Sequence, residues 1–256
     1  MFESGIVSLV PSITLLLCDL GLEKNIIGRT KFCIHPSDKI QNIPIVGGTK
    51  QCDIAKISLL KPDLIIANKE ENEKEQIETL KKQFKVLVTD IKNLDDNYKM
   101  IERIGKLSGT TGKATEIIRQ TMENMAELKT FISRFPKVEP NTLYLIWRKP
   151  YMTIGKDTFI HSLLETMGCK NMFAHQTRYP IIHNLQTSYF SKCQLVLLPS
   201  EPYPFSEKHL AEIQEQLPNA KVILVDGEYF SWYGSKIRDT PAYFKMLAER
   251  ILTCDI

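Results

Sequence analysis

The chain has 256 residues, 43% of them hydrophobic and 25% charged, the composition of a globular protein long enough to bury a sizeable core. Its 33 basic residues are interleaved with 30 acidic ones, a net charge of +3 that is too balanced for a nucleic-acid surface. No apolar run reaches the roughly 18 residues that span a bilayer, and the start at Met1 has no basic region or cleavage site, so a cytoplasmic chain is expected on that ground.

"GIVSLV" reads as a first strand and "LLLCDLG" as a helix closed by Gly21, glycine being the residue that accepts the left-handed turn ending many helices. "NIIG" is a short second strand. In "LLKPDLIIANKEEN" the stretch Leu64–Ala67 is fully apolar, as expected of a parallel strand covered on both faces. The charged run from Lys69 to Glu75 is a solvated helix start whose acids suit the helix dipole. "EKEQIETLKKQF" continues as helix, and "KVLVTD" is the next strand. Two helices follow, separated by Gly109-Thr110-Thr111-Gly112. In the second, Ala114, Ile117, Ile118, Met122, Met125, Leu128, Ile132 and Phe135 recur at three- and four-residue steps. About 24 residues at ~1.5 Å each predict a rod of about 36 Å, stopped by Pro136 and Pro140.

Beyond that rod the pattern repeats. "TLYLI" is a strand, "HSLLETMG" a helix closed by Gly168, "SKCQLVLLPSEP" a strand, "SEKHLAEIQEQL" a helix and "AKVILVDG" a strand. Such alternation, made twice, predicts an α/β fold of two similar lobes with parallel sheets, bridged by a single long α-helix. The expected boundaries are residues 1–92 for the N-terminal lobe, 93–139 for the helical linker and 140–256 for the C-terminal lobe. Cys18, Cys33, Cys52, Cys169, Cys193 and Cys254 form no CxxC pair and read as buried free thiols in a reducing compartment.

Ligands of open α/β sheets bind beyond the carboxyl ends of the strands. The residues that follow the strands are therefore the candidate ligand contacts. In the first lobe they are Ser12, Lys31, Phe32, Cys33, His35 and Thr49. In the second they are Trp147, Arg148, Tyr151, Arg178, Tyr179, Tyr229, Phe230, Trp232 and Tyr233. Both tryptophans are among them, and rings of this kind offer flat apolar area with a polar tip, suited to a large ring-rich ligand. Arg148 and Arg178 suit carboxylates or phosphates of a ligand, or a neighbouring Glu. There is no GxGxxG after the first strand, no GxxxxGK[ST], no GxSxG and no HExxH. The five histidines are scattered. Cys33 and His35 place a thiol beside an imidazole within reach of a metal-centred ligand, which leaves a cytosolic enzyme handling a metal complex as the competing reading.

The stretches "GIVSLVPSITLLLCDLG", "LKPDLIIA", "MTIGKDTFIHSLLETMGCKNMF" and "VDGEYFSWYGSKI", with the long central helix, carry a resemblance that runs through almost the whole chain. It resembles the class III substrate-binding proteins of ABC importers, the helical-backbone metal-receptor family that includes vitamin B12 and ferric-siderophore binding proteins. The resemblance implies a ligand held in a shallow cleft between the lobes: cobalamin or a related metal chelate, with a ferric siderophore or haem as the alternative. It implies no catalysis, no cofactor and no resident metal. It also implies a periplasmic monomer that meets the membrane only through an ABC permease, docked by Glu73 or Glu75 in one lobe and Glu207 in the other. His35 stands where the B12-binding relative has a tyrosine, and a tryptophan that the family has near Thr49 is absent. In the competing enzyme reading, the resemblance makes the metal complex a corrinoid or other metal chelate.

Overall fold

The computed structural model describes residues 5–135 and 139–252, apart from the side chain of Leu252; Met1, the expected helix stop Pro136 and Cys254 lie outside the described residues. Ile6–Ser8 (β1) is followed by Pro11–Asp19 (α1), Ile26–Arg29 (β2), Ser37–Ile40 (α2), Ile54–Leu60 (α3), Leu64–Asn68 (β3), Lys74–Lys81 (α4) and Val86–Thr89 (β4). These strands pair in parallel in the order β2-β1-β3-β4. Every residue of β1 and β3 is buried, which is why Ile6, Val7 and the run Leu64–Ala67 are apolar without alternation. Val7, Ile65 and Ala67 meet Ile57, Ile77 and Leu80 of the covering helices.

Leu94–Leu107 (α5) and Thr111–Ile132 (α6) come next. Then follow Asn141–Tyr144 (β5), Tyr151–Met152 (β6), Phe159–Thr166 (α7), Lys170–Asn171 (β7), Ile181–Ile182 (β8), Leu195–Pro199 (β9), Glu207–Gln216 (α8), Lys221–Val225 (β10), Glu228–Ser231 (α9) and Thr240–Leu252 (α10). The second parallel sheet has the order β7-β5-β9-β10, strand for strand that of the first. Gly21 and Gly168, at φ 77° and 78°, end α1 and α7 in the same left-handed turn. The repeat legible in the residues is thus a repeat of topology.

Two compact units result. One holds the chain up to Ile91, Asp95–Thr121 and Trp232–Arg238; the other holds Lys92–Leu94, Met122–Ser231 and the chain from Asp239 onward. Helix α6 runs out of the first unit and into the second. Its buried stripe is Ala114, Ile117, Thr121, Met125 and Leu128, and Met122, expected on that stripe, is 54% exposed. Steps of three and four from Ile117 reach Thr121 before Met122, and Thr121 is tolerated inside because its hydroxyl donates to the Ile117 carbonyl at 2.7 Å.

The segment Gly234–Arg238 is a 3₁₀ turn packed on α1. Gly234 sits at φ 80°, where a side chain would press on the Ser12 carbonyl and Leu16 at 3.3 Å. Fully buried Asn97 of α5 clamps it: Oδ1 accepts the Gly234 N–H at 2.6 Å and Nδ2 donates to the Gly234 carbonyl at 3.4 Å. Asn97→Ala leaves both backbone groups unpaired and is expected to cost about 1–3 kcal/mol, read as a lower urea midpoint with an unchanged slope.

Candidate functional site

In the first unit the strand ends of β1, β2, β3 and β4 carry the candidate loops on one edge of the sheet. The loop after β2 opens with a tight turn in which the Cys33 N–H donates to the Thr30 carbonyl at 3.1 Å. Phe32 at its tip is 51% exposed, with Lys31 Nζ 5.1 Å from its ring centroid. Ile34 is also exposed, and the His35 ring meets Trp232 edge-on, centroids 5.7 Å apart. Cys33 points the other way. It is 0% exposed, its sulfur lies 3.1 Å from Thr14 Oγ1 and 3.2 Å from Thr30 Oγ1, and burial pushes its thiol up. Its expected role as a ligand contact or reactive thiol is therefore corrected: it is an anchor of the loop. The carbonyl of Thr49 accepts from Asn72 Nδ2 at 2.9 Å, which ties the loop after Gly47 to the end of β3.

Ser12, in the first turn of α1, is buried. So is Tyr233, whose hydroxyl donates to Glu71 Oε1 at 3.1 Å; burial first, and then the Glu71 carboxylate, hold its phenol well above the usual range. Trp232 is 7% exposed. Glu73 precedes α4 and pairs with Lys50 at 3.5 Å, while Glu75 stands exposed in the first turn.

In the second unit Trp147, two residues beyond the core residue Leu145, is 44% exposed. Its ring is held edge-on by Tyr203 at 5.6 Å, which packs on Phe205 at 4.7 Å and His209 at 5.6 Å. His209 Nδ1 accepts the Ser206 N–H at 2.9 Å, which puts the ring proton on Nε2, and burial lowers its pKa. Arg148 makes a forked pair with Glu212, its Nη2 2.6 Å and its Nε 3.0 Å from the carboxylate oxygens, and the Tyr151 hydroxyl donates to the same carboxylate at 2.5 Å. Arg178 pairs with Asp157 at 3.3 Å, and its N–H donates to Oδ1 at 2.6 Å. Both arginines are thus neutralised within the unit. Glu207 stands exposed at the start of α8.

The cluster expected from Tyr229 to Tyr233 divides. Tyr229 stacks on Tyr243 at 4.3 Å and an interplanar angle of 10°. Phe230 is corrected from ligand contact to core: it is 0% exposed, with Tyr144 at 5.2 Å and Phe244 at 4.8 Å. Trp232 and Tyr233 belong to the first unit instead.

Two residues that the sequence reading missed extend the surface around Trp147. Antiparallel pairing sets Trp147 opposite Met152 and Met152 opposite Ile181, so the three share one face of a small ribbon. The other face, Tyr151 and Ile182, packs on the core. Ile181 is 51% exposed and Tyr179 flanks it, also exposed. Strands of two residues carry no periodicity, so no sequence signal marks this platform. A cavity of 190 Å³ lined by Leu185, Phe190, Leu217 and Ala220 lies before β9 and β10, at the amino ends of the strands, away from these loops. Among the described residues no group of three His, Cys, Asp or Glu is placed to hold a metal, and no helix is long and apolar enough to cross a membrane.

A family model described as periplasmic binding protein matches residues 6–192. The chain belongs to the periplasmic binding protein family. Similar members include an uncharacterised ABC transporter substrate-binding lipoprotein of Bacillus subtilis, 29% identical over 182 residues, 67% of this chain and 56% of the relative. Another is a vitamin B12-binding protein of Vibrio parahaemolyticus, 25% identical over 174 residues, 66% of this chain and 61% of the relative. The match thus spans under two thirds of the length of these curated relatives. The fold is that of solved family structures: a periplasmic haem-binding protein from Pseudomonas aeruginosa superposes with a TM-score of 0.81 at 16% identity, covering 99% of this chain and 94% of that one.

Two outcomes follow from the geometry. Arg148, and after it Tyr151, hold the Glu212 carboxyl below the ordinary glutamate range, so its stabilising effect is complete above about pH 4.3 and is lost as pH falls through the depressed native value. Glu212→Gln is expected to lose about 1 kcal/mol at neutral pH and nothing in strong acid, checked by urea unfolding of both proteins across pH. Burial pushes all five described thiols up, Cys169 to about 12 and Cys18 and Cys193 to about 11. Iodoacetamide is therefore expected to leave Cys18, Cys33, Cys52, Cys169 and Cys193 unmodified in the native protein and to alkylate them in urea, read by peptide mass spectrometry.

Proposed function

We propose that this chain is the non-catalytic substrate-binding component of an ABC importer and that its ligand is cobalamin or a closely related metal chelate. The observation that carries this reading is the exposed Trp147, held edge-on by Tyr203 beyond the carboxyl end of β5 and joined on one face of the ribbon by Met152 and Ile181. Such a face suits the broad side of a macrocycle. Phe32, Ile34 and His35 supply the corresponding edge in the first unit.

A corrinoid is favoured over haem for two reasons. One of the relatives matched by sequence is a vitamin B12-binding protein, whereas the haem-binding neighbour shares the fold at 16% identity. Arg148 and Arg178 are each held by a carboxylate of their own unit, which fits a ligand edged with neutral amides better than one edged with propionates. Lys31, Thr49, Tyr179 and Tyr229 are the remaining proposed ligand neighbours. Catalysis through Cys33 is disfavoured by its enclosure and raised thiol pKa. The partner in this reading is an ABC permease, met through Glu73 or Glu75 and Glu207 at the exposed starts of α4 and α8. The place of action is outside the cytoplasmic membrane.

Titration with cyanocobalamin, ferric siderophores and haemin, followed by tryptophan fluorescence, tests the reading. Cyanocobalamin is expected to quench at micromolar concentration, and Trp147→Ala to weaken binding at least about tenfold, as removal of a central aromatic anchor does. Absence of quenching by all three ligands refutes it, and quenching by haemin alone replaces the corrinoid with a haem.

A further inference from the structure

The turn that presents Phe32 springs from a cation that solvent scarcely reaches. Arg29 closes β2, is 8% exposed, and has its backbone pinned by Pro44 and Val46 at 3.0 and 2.8 Å. Its guanidinium stays inside. Nε donates to the Ile40 carbonyl at 3.0 Å, and Nη1 donates to the Cys33 carbonyl at 2.9 Å and the Thr30 carbonyl at 3.4 Å. All three acceptors are main-chain oxygens, and they lie at the start and the end of the stretch from Thr30 to Ile40.

Filling that space needs no charge. An apolar side chain would occupy it without the desolvation that a buried cation suffers. What a guanidinium adds is a rigid fork of donors, able to grip the turn and α2 at once, which an ammonium or an alkyl chain cannot do. Cys33 is consequently held twice, by its carbonyl on Arg29 and by its sulfur between Thr14 and Thr30. With Cys33 fixed inward, its neighbours Phe32 and Ile34 are turned outward and His35 is delivered against Trp232.

We propose that Arg29 is a positioning residue for ligand binding: it locks the turn from Thr30 to Cys33 so that Phe32, Ile34 and His35 stand as a preformed edge before any ligand arrives. The inference rests on the proposed function in taking this loop as a ligand contact. Ordering of the loop then falls on folding and not on association, which tightens binding.

The test uses Arg29→Lys and Arg29→Gln, each made in the full chain and also in a Trp147→Phe background where Trp232 is the sole tryptophan. In that background acrylamide quenching reports the loop without any ligand. Release of the turn is expected to raise Trp232 accessibility severalfold while urea unfolding stays cooperative. In the chain that keeps Trp147, cyanocobalamin affinity is expected to fall about tenfold. Trp232 accessibility equal to that of the parent in both variants overturns the proposal, whether or not a chelate binds. Raised accessibility with unchanged affinity overturns the positioning role. If the parent binds no chelate, the ligand reading fails and the quenching result shows separately whether the clip exists. Loss of folding in both variants also overturns the proposal, because Arg29 would then be a keystone of the unit and not of the loop.

Discussion

Parallel pairing between β1 and β3, and between β5 and β9, is the constraint on which the remaining architecture depends. Ile6, Val7 and Ser8 lie opposite Leu64, Ile65 and Ile66, just as Thr142, Leu143 and Tyr144 lie opposite Leu195, Val196 and Leu197. Strands so enclosed need cover on both faces, and each fully buried aliphatic side chain contributes roughly 1.5–3 kcal/mol. Crossover helices supply that cover, and they oblige every strand of a sheet to point the same way. All loops leaving the carboxyl ends therefore gather on one edge of each sheet. Trp147 and Tyr203, which follow β5 and β9, are neighbours for that reason.

Charge at these edges is balanced locally. Glu212 holds Arg148, Asp157 holds Arg178, and carbonyls hold Arg29. Beside these paired charges the edges expose apolar and aromatic side chains, Phe32 and Ile34 in one unit and Trp147, Tyr179 and Ile181 in the other. The thiols are likewise turned to structural ends: Cys33 anchors a turn and Cys52 meets Gln76 at 3.2 Å. In the proposed reading, the exposed apolar and aromatic side chains recognise shape and hydrophobic area.

Much of the fold was legible in the residues because parallel strands leave a strong trace. "LIIA" and "LVLL" are continuous apolar runs, and Gly21 and Gly168 mark equivalent helix ends. Membership of the sheets follows from such local signals. The site was legible only in part, because exposure is decided by partners distant in the chain. Four rings within five residues read as one cluster, yet Phe244 draws Phe230 into a core, Tyr243 stacks on Tyr229, and Trp232 and Tyr233 go to the other unit. Arg29 was not among the candidate residues. Its role depends on carbonyls four to eleven residues away, and main-chain acceptors have no sequence signature. Met152 and Ile181 were invisible for the opposite reason: their strands are too short to show a period.

The segment Trp232–Arg238 has a consequence for how the polypeptide is made. It is part of the first unit, gripped by Asn97 and laid on α1, although the chain immediately before and after it belongs to the second. On a ribosome that emits roughly 5–20 residues per second, the first sheet can assemble early, but α1 waits for its contact with Gly234–Arg238 until the intervening residues of the second unit have emerged. The first unit is thus completed by a segment that lies far beyond the rest of it in the chain, so a cut after Thr121 leaves that unit without Trp232–Arg238.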